Sequence, residues 1–483
     1  MNSTGTDTEN TPLSSGNSDI DERPDPPVDS PKVARRLPRD VWAISLGLGV
    51  ITLVSRLWGL GRPKILVFDE VYYATQAWEV GRHGVEQGLV VHPPAAKWVM
   101  ALGIRVLGFT PWGWRIMAVL AGVVVVMATV VAAYRLLGSR LAAGLAGVLV
   151  CTDGIAFTTG RLALLDGFVA ALLAVALALT AELVARPLDV PLRRRRSIAL
   201  GFVLGAALAT KWSAAPVLVV CAVVVGTLAY RSAGTVSERR REVARAAGWL
   251  IALPLGCYVL AYVPTLANFD ESAVGRELCG RTGDCNPWVG ERVGAIVRNQ
   301  LDVLDFHQDL EPQNRYAHNA VSWVFQTEPV VLLSSNCPSS DPVCGSTSEE
   351  STRRIVSIGN PIIWALGTVA LLIVLLGSLW QLDARRALVA VWAAALWLPW
   401  VVRLRFDVIP IAPARPGYSF YATPLVPVVA IAIASCWQLL RGRRRAVVGI
   451  ALLVIAIGGA ALLYPLWTAQ PVSSDYLQGL FEP

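Results

Sequence analysis

The sequence predicts an all-α protein that crosses a membrane many times. Of its 483 residues, 54% are hydrophobic and 16% are charged, and the mean hydropathy is +0.52. Soluble proteins carry about a quarter charged residues, so charge is depleted here. Apolar runs close to the ~20 residues that a helix needs to cross a bilayer recur along the chain. These observations exclude a soluble enzyme, a disordered scaffold and a nucleic-acid-binding module.

The first 38 residues predict a disordered cytoplasmic tail. They are rich in Ser, Thr, Asn, Asp and Pro and have no apolar period. Such a segment cannot bury enough apolar surface to order itself. It also lacks a charged region followed directly by an apolar core, which argues against a cleaved signal peptide.

Eleven apolar runs follow, and we interpret each as a transmembrane helix. They lie at about 41–60, 112–137, 141–158, 163–185, 197–213, 214–231, 247–266, 360–381, 387–402, 418–440 and 446–467. A further run at 95–109 is short, follows Pro93–Pro94 and carries Lys97 and Arg105. This composition favours a helix that lies at the membrane interface.

Arginine clusters in alternate loops predict the orientation and explain the net charge of +7. The positive-inside rule places these loops in the cytoplasm. The N-terminus is then cytoplasmic, and residues 468–483 form an outer tail. The clusters are Arg35–Arg36, Arg135 with Arg140, Arg193–Arg196, Arg239–Arg241, Arg385–Arg386 and Arg441–Arg445.

Two long loops face outward in this arrangement. The first, at 60–111, belongs to an N-terminal transmembrane part, 39–266. The second, at 267–357, precedes a C-terminal four-helix part, 358–467. It holds four of the eight cysteines, Cys279, Cys285, Cys337 and Cys344. An even number of cysteines confined to an outer loop predicts disulfides, and pairing of nearest neighbours is the simplest of three connectivities. A zinc site is the less favoured alternative, because the spacings are not the tight kind.

The first outer loop opens with two adjacent carboxylates, Asp69 and Glu70, among apolar and aromatic residues. Acids at a membrane surface are costly to desolvate, which favours a functional role. The alternative is a helix N-terminus, which attracts acidic side chains. Neighbours in a helix point about 100° apart, so the two acids cannot flank one bond as a glycosidase pair does. We therefore expect one of them to act on a substrate and the other to position something else.

Cationic side chains near the outer boundary indicate a phosphate site. Arg115 and Lys211 both lie there, opposite the acidic pair. A snorkelling lysine is the alternative for Lys211. For Arg161 and Asp166 the alternative is a structural ion pair between two helices. In the last outer loop, Arg415 departs from the positive-inside trend and indicates an anionic ligand.

The second outer loop adds His307, His318 and Trp323. All four histidines of the chain lie in outer loops, but no pair has the i,i+4 spacing of a helical zinc motif, so we predict no metal site. The sequence has no glycine-rich phosphate loop, which argues against a cytosolic nucleotide. A lipid-borne phosphate presented from the bilayer fits better.

This ordered set of motifs resembles the protein O-mannosyltransferases, and the Arg-, Ala- and Val-rich composition resembles their actinobacterial branch. The resemblance covers the chain after residue 40. It is carried by Phe68-Asp69-Glu70, His92-Pro93-Pro94 with Lys97, Arg115, the segment Arg161 to Asp166, Lys211-Trp212, the tract His307 to Trp323, Pro329 and Phe420-Tyr421. It implies a GT-C glycosyltransferase fold and transfer of mannose from polyprenyl phosphate mannose to Ser or Thr of secreted proteins at the outer face of the plasma membrane. The secretion translocon is then a candidate partner.

The implied chemistry needs one base and cations around a departing phosphate. Asp69 is the expected base, and Glu70 would orient the acceptor or the cations. Arg115 and Lys211 would stabilise the phosphate. The remaining residues of the expected donor site are His92, Lys97, Arg161, Asp166 and Arg415, and His307, His318 and Trp323 would place the acceptor or the loop. Direct displacement predicts inversion, and the scheme requires no cofactor.

Two departures from the family pattern limit the resemblance. The second outer loop has about 90 residues, too few for the MIR domain of eukaryotic members. The two prolines are followed by Ala95-Ala96-Lys97 instead of Leu-Gly-Lys.

Two other functions are alternatives. A GT-C enzyme that moves another sugar, such as arabinose, to a lipid or cell-wall glycan would share the phosphate pocket. A secondary transporter or flippase would show inverted repeats and polar groups near the bilayer midplane. The sequence shows no half-to-half repeat, and its polar residues cluster at the outer edge.

Overall fold

The computed structural model describes residues 36–88, 90–185, 188–309, 320–336, 351–405 and 417–481, together with Met1 and Gly5. The chain divides into two units, Met1–Lys32 and Val33–Pro483. All the described helices and strands belong to the second unit. Most of the predicted disordered tail lies outside the described residues.

The described residues of this unit are mostly helical. The helices are α1 Arg39–Leu57, α2 Glu70–His83, α3 Ala95–Leu107, α4 Pro111–Leu137, α5 Arg140–Cys151, α6 Gly154–Thr159, α7 Leu165–Ala185, α8 Val190–Leu208, α9 Ala215–Arg231, α10 Val236–Ala247, α11 Leu253–Leu260, α12 Val263–Ala267, α13 Ala273–Thr282, α14 Val289–Asp309, α15 Pro361–Gln381, α16 Ala384–Arg405, α17 Val426–Leu439, α18 Gly442–Trp467 and α19 Ser474–Phe481. The strands are β1 Val330–Asn336, β2 Ser351–Ser357 and β3 Pro471–Ser473.

Helices occupy all eleven predicted positions, and nine helical segments of the described chain are long and apolar enough to cross a membrane. The predicted run 141–158 is broken into α5 and α6, because Asp153 caps α6 by accepting a hydrogen bond from the Ala156 backbone N–H at 2.9 Å. The predicted run 197–213 is the end of α8, which begins earlier, at Val190, and carries four arginines in its first two turns. The number eleven therefore stays a prediction.

Helix α4 lies at the centre of the N-terminal part, where it packs against α1, α3, α5 and α7. The crossing of α3 and α4 is close: a Cβ added at Gly103 would lie 2.5 Å from the Gly113 carbonyl oxygen. Helix α3 corresponds to the run at 95–109, whose interfacial location stays a prediction, and it exposes Leu102 and Val106 on one face. Its opposite face packs on α2 and α4 and carries Lys97 inward. This packing holds the outer-loop helices against the transmembrane part.

A small antiparallel sheet adds to the all-α prediction. Strand β1 pairs with β2, and β2 pairs with β3. The predicted outer tail supplies β3 and α19, and β3 pairs with β2 of the second outer loop. Short-range periodicity does not show this pairing, since β3 has only three residues.

The second outer loop contains α13 and α14 and one disulfide. Cys279 and Cys285 are bonded, which confirms the nearest-neighbour pairing for this pair. Cys337 and Cys344 lie outside the described residues, as do His318 and Arg415.

Candidate active site

Asp69 lies where the first outer loop enters α2, as the residue that precedes the helix. Its neighbour Phe68 has a positive φ of 51°, a conformation that costs a non-glycine residue about 1–3 kcal/mol. The Phe68 ring packs edge-to-face on Tyr418 and Phe420, with ring centroids 5.8 and 5.7 Å apart. These two ring contacts stabilise the strained turn that positions the Asp69 carboxylate. The carboxylate is half-buried, and the Tyr73 hydroxyl donates a long hydrogen bond of 3.4 Å to its Oδ2.

Glu70 points into the protein, where its side chain is fully buried. Its Oε1 accepts from Arg115 Nε and from the Ala163 backbone N–H, both at 2.9 Å. Its Oε2 accepts from Arg115 Nη2 at 2.8 Å and from the Val67 backbone N–H at 3.0 Å. Four such bonds leave little capacity for a substrate. Of the two roles that the sequence suggested for the acids, the geometry therefore favours positioning for Glu70 over direct contact with the reacting atoms.

Arg115 is the partner of Glu70, and its side chain is 1% exposed. Besides the two bonds to Glu70, it donates to the carbonyl oxygens of Leu60, Pro63 and Ile65 at 2.8–3.1 Å. The guanidinium has five N–H donors, and these five bonds engage them. In this conformation Arg115 braces the loop before Asp69, which differs from the predicted phosphate contact.

Arg161 also braces that loop. Its guanidinium donates to the carbonyl oxygens of Arg56, in the last turn of α1, and of Trp58 and Gly59, just beyond that helix, at 2.6–2.9 Å. Burial lowers the pKa of Arg161 to about 10, at which it remains charged at neutral pH. The alternative of an Arg161–Asp166 ion pair is wrong, because Asp166 pairs with Lys211.

Lys97 is buried and committed to protein groups. Its ammonium bonds to Glu86 Oε1 and to the His92 carbonyl oxygen. Lys97 thus stabilises the turn that carries His92, which differs from the predicted contact with the donor. Glu86 was not singled out from the sequence, and no local spacing relates it to Lys97, 11 residues away.

Lys211 lines a cavity of about 310 Å³ between the N-terminal part and α16. Its Nζ donates to both oxygens of Asp166, at 2.8 and 2.9 Å, and lies 4.3 Å from the centre of the Tyr421 ring. The pair therefore holds a buried cation at the cavity wall. The other residues that line the cavity are His92, Trp212, Ser213, Ala215, Pro216, Leu304, His307, Ala395, Leu396, Pro399 and Trp400.

Two histidines connect this cavity to Asp69. The rings of His92 and His307 lie 5.2 Å apart, and the Tyr73 ring lies 5.9 Å from His92. His307 Nε2 lies 3.1 Å from the Val91 carbonyl oxygen, which ties the end of α14 to the first outer loop. Tyr73 in turn bonds to Asp69. The structure thus brings Asp69, His92, His307 and Lys211 into one connected region.

Trp323 packs behind Trp400, one of the residues that line the cavity at Lys211. Its side chain is buried, and its ring lies 5.9 Å from Trp400, which lies 4.8 Å from Tyr421. Trp400 was missed at the sequence level, because a tryptophan in an apolar run is an ordinary lipid-facing or core residue. Tyr73 could have been found, since it lies one helical turn after Asp69.

Among the residues that the structure describes, no group of three or more His, Cys, Asp or Glu side chains is arranged to hold a metal ion. Metal independence stays a prediction.

Residues 107–269 match the protein family described as dolichyl-phosphate-mannose-protein mannosyltransferase. The sequence is also 29% identical to a polyprenol-phosphate-mannose–protein mannosyltransferase of Mycobacterium tuberculosis, over 90% of each chain. It is 30% identical to the protein of that name in Corynebacterium glutamicum, over 84% of this chain and 83% of the relative. The chain belongs to this family of mannosyltransferases.

Solved structures agree on the fold. A yeast protein O-mannosyltransferase, the Pmt1-Pmt2 complex bound to the sugar donor, matches with a TM-score of 0.74 at 12% identity, over 93% of each chain. ArnT from Cupriavidus metallidurans bound to undecaprenyl phosphate matches with a TM-score of 0.53 at 18% identity, over 87% of this chain and 64% of that one. The mannosyltransferase therefore has the GT-C fold and is a multi-pass membrane protein, as the sequence predicted.

Proposed function

We propose that this mannosyltransferase moves mannose from polyprenyl phosphate mannose to Ser or Thr hydroxyls of proteins, with inversion at the anomeric carbon. The observation that carries the proposal is the position of Asp69. It is a half-buried carboxylate on a turn stabilised by ring contacts. Its hydrogen bond to Tyr73 and the contact of Tyr73 with His92 connect it to the cavity that holds Lys211. Family membership supports mannose over arabinose and enzymatic transfer over transport.

The reaction needs one proton acceptor. The acceptor oxygen forms a bond to the anomeric carbon while the bond from that carbon to the phosphate oxygen breaks. The hydroxyl proton passes to the Asp69 carboxylate, and the bonding electrons leave with polyprenyl phosphate. Because a phosphate is a good leaving group, no strong general acid is required, unlike in glycoside hydrolysis. Base catalysis of this kind contributes about 10²–10⁴-fold.

Lys211 is the proposed contact for the donor phosphate. An ammonium has three donors, and two of them go to Asp166, which leaves one for a ligand in the cavity. Its place in a buried wall strengthens its interaction with an anion. Apolar residues of α9 and α16, including Pro216 and Leu396, line the same cavity and suit the isoprenoid chain next to the phosphate. His92 and His307 complete the polar side, and the scheme uses no metal.

The acceptor approaches from the side of Asp69 in this scheme. His307, which lines the cavity, and Trp323, which packs on Trp400 in its lining, would then help to position the acceptor. We infer from the arginine distribution that the N-terminus is cytoplasmic and that the site faces the outside of the membrane. Secreted polypeptides, delivered by the translocon, are the acceptors that such a site would meet.

The assignment of Asp69 is tested by transfer of radiolabelled mannose from polyprenyl phosphate mannose to a peptide rich in Ser, Thr and Pro. For Asp69→Asn we expect transfer to fall at least about 100-fold with donor binding retained, because the amide cannot accept the proton. The matched control is Asp270→Asn, at an exposed position. Transfer at the wild-type rate by Asp69→Asn would exclude Asp69 as the base. Label that enters the peptide only from another polyprenyl-phosphate sugar would refute the choice of donor.

A further inference from the structure

A second polar cavity lies at the end of α8 away from Lys211. It has a volume of about 130 Å³ and is formed where the beginning of α8, the end of α9 and the helix α10 meet. Its rim carries Arg193, Arg194 and Arg245, with Glu242 as the acidic residue. Its floor contains the buried Val225, Ala229 and Ala246. The cavity therefore joins a cationic rim to an apolar floor.

The position of this cavity matches a membrane boundary. Helix α8 has 19 residues and is about 28 Å long, close to the ~30 Å hydrocarbon core of a bilayer. Lys211 follows its C-terminal end, while Arg193 and Arg194 lie near its beginning. The helical segment Val236–Ala267 has 32 residues, about 48 Å, so it exceeds the core and places the arginine-rich α10 at or beyond its edge. The cavity thus lies in the leaflet opposite the active site.

The arginines of the rim are only partly neutralised. Arg245 bonds to Glu242, and Arg193 Nη2 lies 3.7 Å from the same carboxylate. Arg194 lies 5.5 Å from the centre of the Trp249 ring and has no carboxylate partner among the described residues. An arginine stacked on an aromatic face keeps the N–H groups at its edge for an anion, and guanidinium groups match the geometry of phosphate oxygens.

Trp249 is fixed by the local backbone. It lies in a short π-helical segment, Gly248–Ala252, which interrupts the helix between α10 and α11, and such segments frequently occur at functional sites. A Cβ added at Gly201 of α8 would lie 2.1 Å from the Trp249 carbonyl oxygen. This close approach holds the aromatic wall against the helix that carries Arg193 and Arg194.

We propose that this cavity binds a phosphate ester anion, presented as the head group of an anionic phospholipid. Arg193 and Arg194 contact the phosphate, Trp249 holds Arg194 in place, and the apolar floor receives the first carbons of the lipid. Basic pockets between transmembrane helices bind acidic lipid head groups in this way. The proposal is independent of the sugar that the enzyme transfers, because the cavity shares no lining residue with the one at Lys211.

The test is lipid retention by the full chain, measured by native mass spectrometry after extraction from vesicles of phosphatidylglycerol and phosphatidylcholine in equal parts. We expect wild type to retain phosphatidylglycerol in preference to phosphatidylcholine. The double variant Arg193→Gln/Arg194→Gln should retain at least about tenfold less phosphatidylglycerol than wild type, since two charge-assisted hydrogen bonds are lost. Arg194→Gln alone and Arg195→Gln form the matched pair, because each removes one positive charge and the exposed Arg195 does not line the cavity.

Three further results distinguish the alternatives. Trp249→Leu keeps every charge, and we expect weaker retention because Arg194 loses its stacking partner. An equal loss in Arg194→Gln and Arg195→Gln would overturn the proposal in favour of diffuse surface charge. If inorganic phosphate raises the melting temperature of wild type but not of the double variant, and no lipid is retained, then the ligand of this cavity is a free anion and not a lipid. The melting temperature of each variant in phosphatidylcholine alone separates lost binding from lost folding.

Discussion

Lys211 shows at the scale of single residues how the site holds a cation ready for an anion. The ammonium is buried, bonded to both oxygens of Asp166, and packed on Tyr421. A buried charge without a partner is strongly unfavourable, so the ion pair with Asp166 stabilises the Lys211 ammonium and holds it in place. The same pairing leaves capacity for one more acceptor, which a departing phosphate can fill.

We predict that Lys211→Gln lowers kcat/KM for polyprenyl phosphate mannose about 100-fold, a typical effect of removing one group that stabilises developing charge. The single variant also leaves Asp166 buried without its cation. The double variant Lys211→Gln/Asp166→Asn removes that penalty and is expected to fold like wild type while its donor use stays impaired. Steady-state kinetics with varied donor, alongside melting temperatures, check both statements. Normal kinetics in the double variant would remove Lys211 from the donor site.

At the scale of elements, the close crossing of α3 and α4 connects the first outer loop to the transmembrane part. Gly103 and Gly113 allow the two helices to approach, and Ala95 at the start of α3 donates its backbone N–H to the Ala209 carbonyl oxygen at 3.0 Å. These contacts bring the turn with His92 close to Lys211, which follows α8. The packing of α3 therefore decides whether the polar groups meet.

We predict that Gly103→Ala lowers the melting temperature and the transfer rate, because its Cβ would lie 2.5 Å from the Gly113 carbonyl oxygen and force the helices apart. Overpacking of this kind costs about 1–3 kcal/mol. The control is Gly226→Ala in α9, where nothing lies within 4 Å of the new Cβ and alanine is the better helix former. Equal melting temperatures for the two variants would contradict the argument.

At the scale of the whole second unit, Glu70 and Arg115 connect segments that are far apart in sequence. Through this pair the beginning of α2, the loop at 60–65, the beginning of α4 and the segment before α7 are joined by hydrogen bonds. Removal of one partner from a buried ion pair leaves the other charge uncompensated. The pair is thus a condition for the turn that presents Asp69.

We predict that Glu70→Ala destabilises the protein by about 3–5 kcal/mol and lowers the yield of folded enzyme. The exposed Glu277→Ala in α13 is the control and should have no measurable effect. Thermal unfolding in detergent measures the difference. A Glu70→Ala enzyme that unfolds at the wild-type temperature but transfers no mannose would point instead to a direct catalytic role for Glu70.

Local pattern explains how much of the fold and of the site could be predicted. Runs of apolar residues specify helices wherever the surrounding medium is apolar, so the helical positions followed from composition. Asp69 could be selected as a candidate because a helix N-terminus explains one of the two adjacent acids but not a pair among Phe68, Val71 and Tyr72, and its role stays a prediction. The break at Asp153 and the third strand β3 were missed, because one is a capping interaction inside an apolar run and the other is a pairing of residues more than 100 positions apart.

The sequence by itself determined the helical membrane architecture and the family, since apolar runs and the order of short motifs can both be read along the chain. The role of Asp69 stays a prediction. Only the tertiary structure decided which cationic side chain pairs with which carboxylate. Arg115 pairs with Glu70 and Lys211 pairs with Asp166, each across 45 residues, while Arg161 turns to backbone carbonyls. The physical reason is that buried charges must be satisfied, and the partner that satisfies each one is chosen by helix packing and side-chain direction.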